Sequence, residues 1–273
     1  MAVRSPAINV MMKAADRAAR GLRRDFGEVE HLQVSPKGPG DFVSTADLKA
    51  ERILREELGK ARPGYGFLME ESGETAGSDG EHRWIVDPLD GTTNFLHGIP
   101  HFAISIGLER AGEIVAALIL DPIKDERYWA EKGTGAFLND RRIRVSGRRR
   151  LADALLATGI PFAVHGDHAR FGAELAAVMP AVSGVRRLGA ASLDLAYVAA
   201  GRYEGFWERG LSPWDVAAGL LIVREAGGYV SEIEAEGNPV TTGNVLAAND
   251  HLHGEIARLL TGRVAWSRPA PSA

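Results

Sequence analysis

The segment Trp84-Ile85-Val86-Asp87-Pro88-Leu89-Asp90-Gly91-Thr92-Thr93-Asn94 constrains the fold more than any other, because an apolar run ends abruptly in two acids, a glycine and hydroxyls. Acids at the end of a buried strand are costly unless they are paired or ligate something. Pro88 imposes extended backbone on Asp87 and removes a donor. Gly91 permits a turn that can aim the amides of Gly91, Thr92 and Thr93 outward, and a helix starting there binds an anion at its positive end. Alone, Asp-Pro and Asp-Gly read as turn formers and Thr as a helix cap. Company shifts that balance: Glu70-Glu71 end a second apolar run, Gly66-Phe67-Leu68-Met69, and Asp215 follows Trp214 at the start of a helix.

Composition leaves oxygen and imidazole as the donors. The 273 residues include no cysteine, which removes disulfides, thiolate zinc sites, iron–sulfur clusters and cysteine nucleophiles. Carboxylates in this number suit a hard divalent cation, and magnesium takes carboxylates, waters and substrate phosphate. Two such ions about 3.5–4 Å apart clamp the attacking and leaving oxygens of a phosphoryl transfer. Haloacid-dehalogenase-type phosphatases offer a rival, with an Asp-x-Asp-Gly-Thr nucleophile after a strand. Here Asp87 and Asp90 are one residue further apart, which changes their relative directions, and no obvious partner lysine follows. Metal-activated water is therefore preferred to a covalent phosphoenzyme.

The rest of the chain reads as mixed α/β. Ser5 and Pro6 start an amphipathic helix carrying Ile8, Met11, Met12, Ala15, Leu22 and Phe26. A polar loop over 38–47 leads to a second helix with Ala50, Ile53, Leu54 and Leu58, and Asp47 lies in its first turn. From Phe102 to about Phe137, short apolar runs broken at Gly112, Asp121-Pro122 and Gly133 predict an antiparallel meander. Beyond Arg150 strands and helices alternate, from a strand near Leu155, through Tyr203–Glu208 and Val245–Ala248, to a helix over His251–Leu260. No linker divides the chain, so one domain is expected over 1–262, in two packed halves of about 1–150 (metal and phosphate) and 151–262 (substrate-facing), with 263–273 a frayed tail.

Thirty-two basic and 36 acidic residues give a formal charge of −4, which offers no whole-molecule attraction for nucleic acid or an anionic membrane. No run approaches the ~18 apolar residues of a membrane span, and the first residues lack a continuous apolar signal core. Asp16, Asp25 and the regular spacing favour an ordinary helix over a transit peptide. The cytoplasm is the expected location.

Taken together, Glu70-Glu71, Asp87 through Phe95 and Trp214-Asp215-Val216-Ala217-Ala218-Gly219 resemble the signature of the inositol monophosphatase family. Segments 37–47, 100–107, 135–139 and 189–194 fit in order, so the resemblance covers nearly the whole chain, and Leu195 through Gly201 resembles the bacterial SuhB-like branch. The resemblance implies a layered αβαβα sandwich of the inositol monophosphatase and fructose-1,6-bisphosphatase type. It also implies Mg2+-dependent, lithium-sensitive hydrolysis of myo-inositol monophosphate or a similar small polyol phosphate, by direct attack of a metal-bound water. Glu70, Asp87 and the Leu89 carbonyl would hold one ion and Asp87, Asp90 and Asp215 a second, with Glu70 helping a third, weaker one. Asp47 would orient the Thr92 hydroxyl, which with Glu70 positions and deprotonates the water; which group takes the proton is open. The amides of Gly91 and Thr92, with Thr93 beside them, would meet phosphate oxygens. Asp90, the Ala191 backbone, Glu208 and Asp215 would touch substrate hydroxyls.

A homodimer is expected from the same resemblance. Fructose 1,6-bisphosphate, histidinol phosphate and 3′-phosphoadenosine 5′-phosphate are substrates the motifs do not separate. A regulatory protein binding transcription machinery or RNA is the reading from another class, motivated by Arg148-Arg149-Arg150 and Arg186-Arg187. Without aromatic interleaving, the first of those runs reads more simply as a solvated loop. The pairs His165/His168 and His251/His253 read as surface histidines, Trp207 and Trp214 as core, and Glu208 as either an exposed edge acid or a polyol contact. Lys37 sits in a loop one residue shorter than in animal relatives, and its role is left open.

Overall fold

Ser5 accepts a hydrogen bond from the Ile8 amide at 3.3 Å and opens helix α1 (Pro6–Phe26). The computed structural model describes residues 4–28, 34–38, 41–161, 166–234 and 237–262. Strands β1 (Val34–Gly38) and β2 (Asp41–Ser44) follow and pair antiparallel, which corrects the polar loop read over 38–47. This hairpin has no apolar alternation for a sequence reading to catch; its backbone ladder carries it. Ser44 then caps α2 (Thr45–Ala61).

Strands β3 (Gly66–Met69), β4 (Gly73–Thr75) and β5 (His82–Asp90) lead to the short helix α3 (Thr92–Leu96) and to β6 (Ala103–Arg110), β7 (Glu113–Asp121), β8 (Glu126–Glu131), β9 (Gly135–Leu138) and β10 (Arg141–Ile143). They form one sheet in the order β10-β9-β8-β7-β6-β5-β3-β4, with the expected antiparallel meander from β6 onward and β3 parallel to β5.

The second sheet has the order β12-β11-β13-β15-β14, from β11 (Leu155–Thr158), β12 (Gly184–Arg186), β13 (Gly205–Glu208), β14 (Tyr229–Glu232) and β15 (Val245–Ala248). Its helices are α4 (His168–Val178), α5 (Ala191–Ala199), α6 (Pro213–Glu225), α7 (Pro239–Thr242) and α8 (His253–Thr261). Besides the β1–β2 hairpin, the strands and helix the pattern missed, β4, β10, β14 and α7, are three or four residues long. No helix among the described residues is long and apolar enough to cross a membrane, and the tail 263–273 lies outside them.

Burial shows why these elements stack as five layers. Ile8, Met11 and Leu22 of α1 and Leu54 and Leu58 of α2 pack on Trp84, Val86, Ile106 and Leu118 of the large sheet. Ile85, Ala117 and Ile119 point to its other face and meet α5 and α6, which also pack on Phe206 and Ala247 of the second sheet. Trp207 and Leu246 face outward from that sheet onto Val178, Leu252 and Ile256. The order is helix, sheet, helix, sheet, helix, as expected. Each fully buried large side chain contributes about 1.5–3 kcal/mol. All nine residues of α5 are buried, so its sequence is apolar around the whole circumference rather than on one stripe.

Candidate active site

The end of β5 is a bulge. Asp87 lies opposite Ser105 but Asp90 lies opposite Ala103, so three steps along β5 match two along β6. Pro88 has no N–H to give the ladder, and the chain kinks where pairing fails. The freed Leu89 amide donates to Asp87 Oδ1 at 2.9 Å, while the Leu89 carbonyl accepts from Thr92 Oγ at 3.0 Å. Gly91 turns the chain at φ +92°, and a Cβ there would stand 3.0 Å from the His101 carbonyl, so both conformation and space call for glycine. Asn94 donates to the carbonyls of His101 and Leu188, at 2.8 and 2.7 Å, pinning α3 against the second half. The first amides of α3 have no intrahelical acceptor.

Asp47 and Asp215 are placed by the same device. Each is the third residue of a helix whose capping serine donates its backbone amide to the carboxylate: Ser44 to Asp47 Oδ2 at 2.9 Å, and Ser212 to Asp215 Oδ2 at 2.7 Å. Asp47 Oδ1 accepts from Thr92 Oγ at 3.0 Å, so that hydroxyl is held between Asp47 and Leu89. Asp90 is anchored differently. Its Oδ2 accepts from the amide of Ser192 at 2.8 Å and from the Ser192 hydroxyl, joining β5 to α5. Sequence reasoning missed Ser192: it lies 102 positions from Asp90, and no spacing connects them.

These acids are unusually hard to ionise in the absence of a cation. Burial pushes Asp87 well above the carboxylate range, and repulsion from Glu70, Asp90 and Asp215 pushes further. Asp90 rises to about 6 through burial, opposed by its Ser192 hydrogen bonds. Asp215 rises through burial and the charge of Asp90, and Asp47 through burial. Burial and Asp90 raise Glu208 to about 8, burial and Glu208 raise Asp194, and Arg187 opposes both rises. Glu70, Asp87, Asp90 and Asp215 therefore share one electrostatic neighbourhood, with Glu208 and Asp194 beside it. Oxygen donors whose charges repel one another fit a hard divalent cation. Among the described residues no three His, Asp or Glu side chains are already arranged to hold an ion.

A profile of the inositol monophosphatase family matches residues 3–265. The chain belongs to that family. It is 60% identical to an inositol-1-monophosphatase of Rhizobium meliloti, over 98% of this chain and 99% of the relative. It is 43% identical to the Nus factor SuhB of Pseudomonas aeruginosa, over 89% of this chain and 92% of the relative. A crystal structure of the extragenic suppressor protein SuhB of Bartonella henselae superposes with a TM-score of 0.92 at 57% identity, covering 95% of this chain and 100% of that one. Family and relatives together support a phosphatase.

Within that family frame, Glu208 is not an edge acid: β13 is the middle strand of its sheet. Its carboxylate folds over Gly159, where a Cβ would stand 1.8 Å from Oε1. Thr93 is exposed, and Thr92 and Gly91 are half-buried. Features read as bland have local partners. His168 Nε2 lies 3.0 Å from the Pro161 carbonyl and His253 Nε2 3.0 Å from Ser231 Oγ. Arg148 donates at 2.8 Å to Glu204, a buried acid that also accepts from the Leu155 amide, so this member of the arginine run is tied to the fold. Trp207 is core, and the Trp214 carbonyl accepts from Ser105 Oγ at 3.1 Å. His165 and the Lys37 side chain lie outside the described residues.

Proposed function

We propose that the chain is a Mg2+-dependent phosphomonoesterase acting on myo-inositol monophosphate or a similar small polyol phosphate. The observation that carries this reading is the mutually repelling set of buried Asp87 and Asp90 with half-buried Glu70 and Asp215, beside a Thr92 hydroxyl held by Asp47. Glu70, Asp87 and the Leu89 carbonyl would hold one ion and Asp87, Asp90 and Asp215 another. Such ions, when bound, neutralise phosphoryl oxygens and acidify water.

The chain's own groups supply the rest. The amides of Gly91, Thr92 and Thr93 hold the phosphate oxygens and favour the charge that grows on them. Thr92 Oγ, oriented by Asp47, and Glu70 position the attacking water and draw its proton. Glu208, Asp90, Asp215 and the Ala191 backbone bind the hydroxyls of the polyol. Inhibition by lithium, a homodimeric state and a cytoplasmic location complete the proposal.

The test is phosphate release from myo-inositol 1-phosphate under Mg2+ titration, run against fructose 1,6-bisphosphate, histidinol phosphate and 3′-phosphoadenosine 5′-phosphate. Turnover of the inositol ester without added divalent ion, or its absence at any Mg2+ level, refutes the reading. The 43% identity to a Nus factor favours a second reading, a regulatory protein that binds transcription machinery. Catalytically dead variants that still function in cells would support it.

A further inference from the structure

The outer helix layer carries a second concentration of charge, opposite in sign to the carboxylates. Between α1 and α2 lies a groove of about 330 Å3. Arg17, Arg20, Arg24, Lys49 and Arg52 line it, and Asp25 is the one acid among the lining residues. In a chain of net charge −4 this is a local inversion.

Three of the cations are engaged: Arg17 with Glu57, and Arg24 and Lys49 with the buried Asp25. Arg20 of α1 and Arg52 of α2 are exposed and make no hydrogen bond or ion pair with any described residue. They present two free guanidinium forks, one from each helix, and such forks take phosphate or carboxylate with paired hydrogen bonds.

The floor is apolar, with Leu22 and Ile53 among small residues. Gly21 is the telling one. It sits inside α1, where glycine costs stability relative to alanine, yet a Cβ there would meet nothing within 4 Å. Close packing does not require that glycine, and a larger side chain there would extend into the groove it lines. The volume lies at the lower end for small-molecule sites. A long polyanion fits less well, because the whole chain is net negative. The groove also backs onto the site: Ala46 and Lys49 line it, and Asp47 between them holds Thr92.

We infer that the α1–α2 groove binds a small organic dianion, carrying two phosphate or carboxylate groups on Arg20 and Arg52, and that its occupancy is felt at Asp47. The second half of this inference rests on the proposed phosphatase activity.

The probe is phosphonoacetate, which a phosphatase does not hydrolyse, titrated calorimetrically into the metal-free protein at low salt. Binding is expected, weakened at least tenfold in Arg20→Glu/Arg52→Glu and also in Gly21→Leu, which fills the floor without touching charge. Unchanged thermal unfolding confirms that the variants fold. With Mg2+ present, phosphonoacetate should change KM or kcat for the phosphate ester at least twofold in the wild type and not in the double variant. Equal affinity in the variants, equal effects on turnover, or binding of an oligoglutamate peptide but not of phosphonoacetate would each overturn the inference. If no ester is hydrolysed at all, the phosphatase reading fails while the metal-free titration still decides the site.

Discussion

The two groups of acids that meet at the site are held in different ways. Asp47, Asp87 and Asp215 each take a backbone amide from two or three residues away, so a few consecutive residues set their positions. Glu208 instead lies against Gly159, just past the end of β11, and Asp194 Oδ1 is buried with no hydrogen-bond partner among the described residues. Of the proposed ion-holding acids, Asp87 and Asp215 are placed by short-range turns and caps and Asp90 by a distant segment through Ser192, whereas Glu208 is placed by packing between distant segments alone. On the proposed roles, ion binding rests mainly on local sequence and substrate selection on contacts between distant segments.

The sharpest way to break that contrast is to neutralise one acid from each set. Asp90→Asn or Asp215→Asn should lower kcat by roughly a thousandfold or more, since each removes an anionic donor for the ions. Circular dichroism should show the fold intact. Thr92→Val should follow at about a hundredfold in kcat, with a smaller change in apparent Mg2+ affinity, because it removes water orientation while keeping every proposed ion-holding oxygen, though it frees the Leu89 carbonyl of one hydrogen bond. Glu208→Gln and Gly159→Ala should act mainly on KM, about tenfold, and should reorder a substrate panel. A kcat loss at Glu208 equal to that at Asp90 would erase the distinction.

Thermal unfolding across pH sharpens it further. Glu208 and Asp194 titrate higher folded than unfolded, so their contribution to stability is complete below the ordinary carboxylate range and fades as pH rises, for Glu208 through about 8. The chelated protein should therefore lose Tm between about pH 5 and 8. Added Mg2+ should restore it at pH 8, by about 2.7 kcal/mol at a hundredfold excess over Kd. Near pH 5 the gain should shrink, because Asp90, with its pKa of about 6, is then protonated. The smallest effect is at Ser192→Ala, which removes one hydrogen bond to Asp90 and should cost about 1–2 kcal/mol in denaturant unfolding.

What was legible in the sequence follows the same division. The capping acids, the Asp-Pro bulge and the Gly91 turn write their geometry into adjacent residues, and the family resemblance added their roles. The Ser192 bond to Asp90, the glycine beneath Glu208 and the Glu204 partner of Arg148 join segments 49 to 102 positions apart, where no spacing rule reaches. The β1–β2 hairpin escaped for another reason: its pairing is backbone ladder, and its residues show no apolar period.

Helix α6 is buried from Val216 to Val223, wedged between the two sheets, with Asp215 at its head. Asp87 and Asp90 ride on the first sheet, so the gap between these carboxylates reports how tightly the wedge is seated. Hydrolysis then acts as a gauge of interlayer spacing. Mild urea or pressure that eases the layers apart should silence the enzyme while its strands and helices still stand.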